Sequence, residues 1–201
     1  MSKSNLAVML SKLRTFDNPK SELEQYPTDS EVAAEILWFA HLNNDIYDKT
    51  VADLGAGTGT LGIGCLLLGA KKVYFIEKDP EAIEILKENI KTQDFDGEYE
   101  IINSDIRSFH EDVDLVVENP PFGTQEDHAD KLFLERAVTI TNTVYTYHKL
   151  STEAFIHSFT KSHSFKITHF FKLKFPLKKT MKHHKKQIEY IDVGCWRIHK
   201  S

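Results

Sequence analysis

The sequence predicts an α/β fold: a mostly parallel sheet with helices on both faces, closed at its C-terminal end by an antiparallel hairpin. Three observations lead there. Short apolar β-like runs alternate with helical patterns from residue 51 to about 162. A glycine-rich turn follows the first of these runs directly. Two longer β-like stretches then end the chain with only a lysine-rich segment between them.

The elements follow in order. Leu6, Met9, Leu10 and Leu13 recur at helical spacing, and a second helix starts near "TDSEVAAEILWFAHL", with Thr28, Asp29 or Ser30 as candidate caps. "VADL" (51–54) is the first strand, and a helix over 61–68 follows the glycine turn. "KVYFIE" (72–77) is the second strand, after which Asp79-Pro80 opens a helix with Ile83, Leu86 and Ile90 on one face. "YEIIN" (99–103), "DLVVE" (114–118) and "TVYTY" (143–147) are three more strands, with a helix over about 130–140 between the last two. A helix near 151–162 precedes "KITHFFKLKF" (166–175) and "IEYIDVGCWRI" (188–198), which makes seven strands. Repeated strand–helix units imply a parallel sheet covered on both sides.

The 201 residues are 41% hydrophobic and 27% charged, an ordinary globular composition, and are read as a single domain, 1–201. No apolar run is long enough for a membrane span, and "MSKSNLAVML" is too short a stretch for a signal peptide. Cys65 and Cys195 have no metal-ligand spacing, so a cytoplasmic protein with reduced thiols is expected. The histidines, His183-His184 included, lack acidic or cysteine co-ligands nearby, and no metal site is expected. The net charge is −5, yet Ala154 to Ile188 carries nine lysines, five histidines and no acid, leaving about −14 on the remainder. Such a block is either a solvated face or a nucleic-acid surface. Phe165, Phe170, Phe171 and Phe175 interleave with the lysines, as rings that stack on bases or as core strand positions.

"VADLGAGTGTLGIG" places Gly55, Gly57 and Gly59 after a strand and before a helix; Gly57, Gly59 and Gly62 also satisfy GxGxxG. The pattern alone is weak and fits a plain tight turn. Glu77, ending the next strand, can accept both ribose hydroxyls of a nucleoside-containing cofactor in this Rossmann-like arrangement. Asp53 repels a pyrophosphate but suits an ammonium group, and Asp105 can accept from an adenine amino group. Each acid alone could be a cap or a turn residue; three at successive strand ends favour S-adenosylmethionine over NAD.

The fourth strand ends in Asn119-Pro120-Pro121-Phe122. Prolines cannot donate to a ladder, so the chain leaves the sheet there. Methyl transfer to a planar exocyclic amine requires its nitrogen to become more tetrahedral. An Asn oxygen and a backbone carbonyl, here that of Pro120, can each accept one N–H and favour that geometry, while Phe122 offers a stacking face. The competing reading is a proline turn with Phe122 in the core.

These residues match amino-methyltransferases of the Asn/Asp-Pro-Pro-aromatic type. "LEQYPTDSEVAAEIL" (23–37), "VADLGAGTGTLGIG" (51–64), "ENPPFGT" (118–124), "VYTYHKLST" (144–152) and "HKK" (184–186), in this order, resemble the methyltransferase-like protein 5 family of archaea and eukaryotes. The resemblance runs from about residue 20 to the C-terminus. It implies a seven-stranded class I methyltransferase sheet and methylation of adenosine N6 in small-subunit ribosomal RNA, with S-adenosyl-L-homocysteine as the second product. It implies that Gln25, Tyr26 and Thr28, in an N-terminal segment (1–48), cover the cofactor. Asp53, Gly55, Gly57, Thr60, Glu77, Asp105 and Asn119 then line its site, and Asn119, Pro120, Pro121 and Phe122 hold the target adenine. RNA is expected along the loop 177–186 of the basic C-terminal region (154–201), through Lys178, Lys179, Lys182, His184, Lys185 and Lys186. The turn Ala56-Gly57-Thr58-Gly59 departs from the eukaryotic pattern, where cysteines are common, and points to an archaeal member. Eukaryotic members pair with a small zinc-binding methyltransferase activator, a partner the resemblance extends to this chain. The rival functions are a protein-glutamine methyltransferase and a non-catalytic RNA-binding subunit.

Overall fold

The structure, a computed structural model, describes residues 1–20, 23–122, 129–178 and 188–201. The elements are α1 (Lys3–Ser11), α2 (Ser30–Leu42), β1 (Thr50–Leu54), α3 (Thr60–Leu67), β2 (Lys72–Glu77), α4 (Pro80–Lys91), β3 (Glu98–Asn103), β4 (Leu115–Glu118), α5 (Ala129–Ile140), β5 (Thr143–Lys149), α6 (Glu153–Ser162), β6 (Phe165–Lys178) and β7 (Ile188–Lys200). The predicted strands and helices are all present. Leu13 lies past the end of α1, in a turn where its N–H donates to the Leu10 carbonyl at 3.2 Å, and is buried in the core.

Local chemistry sets the boundaries. The Asp29 carboxylate accepts from the Glu31 and Val32 N–H groups at 3.0 and 3.2 Å, which starts α2 at Ser30. Asp79 does the same for Glu81 at 3.2 Å, with Pro80 in the first turn of α4.

Seven strands form one sheet in the order β3-β2-β1-β4-β5-β7-β6. The first five are parallel, while β7 runs antiparallel to both β5 and β6. Alternation along the strands sends Val51, Val73, Phe75 and Val117 into one core with Leu10, Leu37, Ile63 and Leu86 of the helices. Ala52, Ile76, Val116 and Val144 enter a second core with Leu134 and Ala137 of α5 and Ile156 and Phe159 of α6. Successive strands step outward from β1 on one side and from β4 on the other. The crevice at that reversal, beyond the C-terminal strand ends, is where such sheets take ligands.

The hairpin was predicted, but not its placement. The chain passes first to the edge as β6 and returns as β7 between β6 and β5. Val193, Cys195, Trp196 and Ile198 are fully buried on both faces of β7, so this strand needs neighbours on each side. Arg197 leaves the same strand to pair with Asp45 through Nε–Oδ2 (2.8 Å) and a second guanidinium nitrogen on Oδ1 (3.0 Å); the Tyr145 hydroxyl donates to the same Asp45 at 2.7 Å. Both charged side chains are nearly buried, and replacing Asp45 with Ala strands a guanidinium between α2 and the sheet. We expect Asp45→Ala to cost about 2–3 kcal/mol, read as a lowered denaturant midpoint at unchanged slope. Among the described residues no helix is long and apolar enough to cross a membrane.

Candidate active site

The loop after β1 is built by its backbone. The Gly55 and Ala56 N–H groups donate to the Ile76 carbonyl at 2.9 and 3.0 Å, folding the turn over the end of β2. Gly59 sits at φ +93° at the start of α3, where a Cβ would run into the Leu86 and Ile63 side chains. Gly62 lies against Phe75 and donates its N–H to Asp53 Oδ2 at 2.8 Å. These close approaches seat Asp53 beneath the helix, 2% exposed. Burial pushes its carboxyl up to about 7, against the pull of the Gly62 N–H, and the charge of Glu77 adds to the rise.

Glu77 is fixed from two sides: Oε2 accepts from Gly57 N–H and Oε1 from Asp79 N–H, both at 2.8 Å. Each oxygen keeps a second lone pair. Asp105 stands two residues beyond β3, capping a short 3₁₀ turn. Arg107 grips both its oxygens at 2.8 and 2.9 Å and holds its carboxyl below the usual range. Ser104, which sequence reasoning missed, has a buried hydroxyl with no partner.

One cavity joins these strand ends. Asp53, Gly55, Gly57, Thr60, Glu77, Ser104 and Asp105 line it from the sheet side, and Phe133 of α5 closes one wall. The roof is a segment between α1 and α2, in which Gln25, Tyr26 and Thr28 all line the cavity. Gln25 Nε2 donates to Asp79 Oδ2 at 2.6 Å, and Lys20 pairs with Asp79 at 2.8 Å, fastening the roof beside Glu77. Asp79 thus caps α4 and anchors the roof at once.

The Asn-Pro-Pro-Phe turn enters from β4. Asn119 and Pro121 line the cavity. The Asn119 amide donates to Thr28 Oγ1 at 3.0 Å, and its Oδ1 is buried without a partner. Pro120 is buried. Phe122 is not part of the cavity wall. Its ring stands edge-on to Phe175, centroids 6.5 Å apart, with Lys149 Nζ 6.0 Å from its centre. The expected stacking face therefore lies toward the C-terminal hairpin rather than the roofed cavity. Lys178 is the last residue of β6, while Lys179, Lys182, His184, Lys185 and Lys186 lie outside the described residues.

A buried polar row lies behind the motif. Glu118, fully buried, meets Thr146 Oγ1 at 2.8 Å; the same hydroxyl lies 2.7 Å from His148 Nε2, and His148 faces Asp130 of α5 at 3.4 Å. Burial pushes the Glu118 carboxyl up to about 8, with the Thr146 bond opposing and Asp130 and Asp53 adding. Burial likewise lowers His148. An acid ending an apolar strand, directly before the motif, was the signal in the sequence.

The fold and these residues have counterparts in known proteins. Residues 30–145 match the methyltransferase small domain family. The chain is 40% identical to an uncharacterized protein of Methanocaldococcus jannaschii over 98% of this chain and 94% of that one. It is 33% identical to the rRNA N(6)-adenosine-methyltransferase METTL5 of Danio rerio, over 98% of this chain and 99% of that one. The chain belongs to the METTL5 family. A Pyrococcus horikoshii crystal structure, of a protein proposed to be an RNA methyltransferase, superposes on the whole of this METTL5-family chain. It covers 98% of that chain with a TM-score of 0.92 and 43% identity.

The METTL5-family site fits S-adenosylmethionine on its own chemistry. It pairs a buried acid, Asp53, suited to an ammonium, with a second, Glu77, whose free lone pairs suit vicinal hydroxyls. Ser104 and Asn119 bring orphaned polar atoms to the same cavity, and buried atoms of this kind are ordinarily satisfied.

Proposed function

We propose that this chain transfers a methyl group from S-adenosylmethionine to N6 of an adenosine in RNA, with small-subunit ribosomal RNA as the substrate. The observation that carries this reading is Asn119: an amide whose nitrogen is taken by Thr28 and whose buried oxygen is left facing no partner, in the wall of an acid-lined cavity.

When bound, S-adenosylmethionine supplies a methyl group made electrophilic by its sulfonium. The chain's own residues do the rest. Asp53 holds the ammonium group, Glu77 the ribose hydroxyls and Asp105 the adenine amino group. Gln25, Tyr26 and Thr28 keep water from the roof side. Asn119 Oδ1 and the Pro120 carbonyl each accept one N–H of the target amine, turning its lone pair out of conjugation with the ring. The target base is splayed from its RNA stack and rests on Phe122. Lys149, beside that ring, adds positive charge where a phosphate would pass. The proton lost from N6 passes to solvent, since among the described residues no titratable group is hydrogen-bonded to the Asn119 side chain.

The same reading takes residues 1–201 as one methyltransferase domain working in the cytoplasm, where the buried thiols of Cys65 and Cys195 stay reduced. It includes a small zinc-binding activator that adds β pairing to the sheet. β3 is an edge strand whose first three residues are exposed, Tyr99 at 47%, and such an edge accepts a further strand.

The test is incubation with labelled S-adenosylmethionine and either total RNA or ribosomal protein, followed by digestion and identification of the labelled product. N6-methyladenosine is expected. N5-methylglutamine, or label in neither fraction with the activator present, overturns the reading.

A further inference from the structure

Glu24 stands out from its surroundings. It is 7% exposed, its backbone has φ +47°, and few residues other than glycine adopt that conformation. Its carboxylate accepts the Phe122 N–H at 2.7 Å across 98 residues of sequence. Glu24 also lines the roofed cavity, while Phe122 does not.

The chemistry of the motif explains why that one bond matters. Pro120 and Pro121 have no N–H, so between Asn119 and Phe122 the backbone offers no donor by which the turn can be held. Phe122 N–H is the first one after that of Asn119. A carboxylate on it makes a charge-assisted bond, stronger than a carbonyl would. Four residues on, Thr28 takes the Asn119 side-chain amide. The segment 24–28 therefore holds both ends of the Asn-Pro-Pro-Phe turn, by backbone at one end and side chain at the other. The rest of that segment is tied to the ribose side of the cavity, where Lys20 N–H donates to Gln25 Oε1 at 2.8 Å and Gln25 to Asp79.

We infer that Glu24 is a positioning residue for methyl transfer: it sets the direction of the Pro121–Phe122 turn, and so of the base-stacking ring, from within the roof of the cofactor cavity. This rests on the RNA-methylating reading above. In this arrangement a ligand beneath the roof steadies the same segment that holds the turn, so cofactor occupancy and the geometry at Phe122 are linked through one carboxylate.

The test uses the full chain and two variants. Glu24→Gly removes the carboxylate at a backbone angle that glycine adopts without strain, and Glu24→Gln keeps an acceptor oxygen. The readouts are amide hydrogen exchange at Phe122, with and without S-adenosylhomocysteine, and kcat and KM for RNA. The expected result is a slowly exchanging Phe122 amide in the wild type, slowed further by S-adenosylhomocysteine. In Glu24→Gly its exchange accelerates and kcat falls, each by about tenfold or more, with a smaller change in the KM for S-adenosylmethionine. Glu24→Gln restores both to within about threefold of wild type, an outcome that a loss of charge alone does not produce. A Phe122 amide that exchanges in the wild type as fast as in an unstructured peptide overturns the proposal, whether or not the variants fold. So does a wild-type kcat in Glu24→Gly. The exchange measurement involves no RNA, so absence of N6-methyladenosine in the wild type counts against the functional reading and leaves the role of Glu24 separately decided.

Discussion

Asn119→Ala is expected to lower kcat for RNA methylation by about 10²–10³-fold while S-adenosylhomocysteine affinity changes by less than about threefold. The asymmetry follows from where the side chain points. Its nitrogen is spent on Thr28, a contact to the roof, and its buried oxygen is left without a partner. Removing it takes away an acceptor that matters most as the amine becomes tetrahedral. That loss belongs to the transition state rather than to either bound ligand. The checks are single-turnover methylation and calorimetric titration on the same preparation. An unchanged rate removes Asn119 from the reaction.

The second large effect concerns Asp53. Its carboxyl is held up at about 7, chiefly by burial. A cationic ammonium requires it ionised, so binding below that pH releases a proton. Affinity for S-adenosylhomocysteine should therefore rise about tenfold between pH 6 and pH 8 and level off above. Calorimetry in buffers of different ionisation enthalpy detects the released proton directly. Asp53→Asn should flatten the profile and weaken binding by about tenfold or more at pH 8. A wild-type affinity that is level across this range removes the ammonium from Asp53.

The stability of the ligand-free protein should run the other way. Asp53 is raised from 3.8 to about 7 and Glu118 from 4.5 to about 8, so the folded chain keeps protons that the unfolded chain gives up. The contribution of these two carboxyls is full below their unfolded values of 3.8 and 4.5 and is lost as pH rises to about 8. His148, lowered by burial, contributes the opposite slope as pH falls below its ordinary 6.5. Ligand binding offsets the Asp53 share and leaves that of Glu118.

Much of this site was legible because its pattern is local. A strand that ends in an acid, followed by glycines and an apolar helix, states its geometry within a dozen residues. Asp53, Glu77 and Asn119 stand out that way, and all three line one cavity. Glu24 was not found, since its partner is 98 residues distant and nothing in "LEQYPT" shows that a carboxylate is needed there. Ser104 was passed over because a serine in a turn is unremarkable until its hydroxyl is buried and orphaned. Phe122 was located, but the direction of its ring depends on Phe175 and Lys149, which arrive from two other strands.

By itself the sequence determined the element types, the parallel sheet with its hairpin, and the place of the Asn-Pro-Pro-Phe turn at the end of the fourth strand. Periodicity, glycines and prolines act over a few residues, and those features need nothing more. The tertiary structure decided that β7 slots between β5 and β6, which lone pairs of Glu77 and Asn119 remain unused, and which carboxylate holds the proline turn. Each of these depends on burial and on hydrogen-bond partners drawn from distant parts of the chain, which no local pattern records.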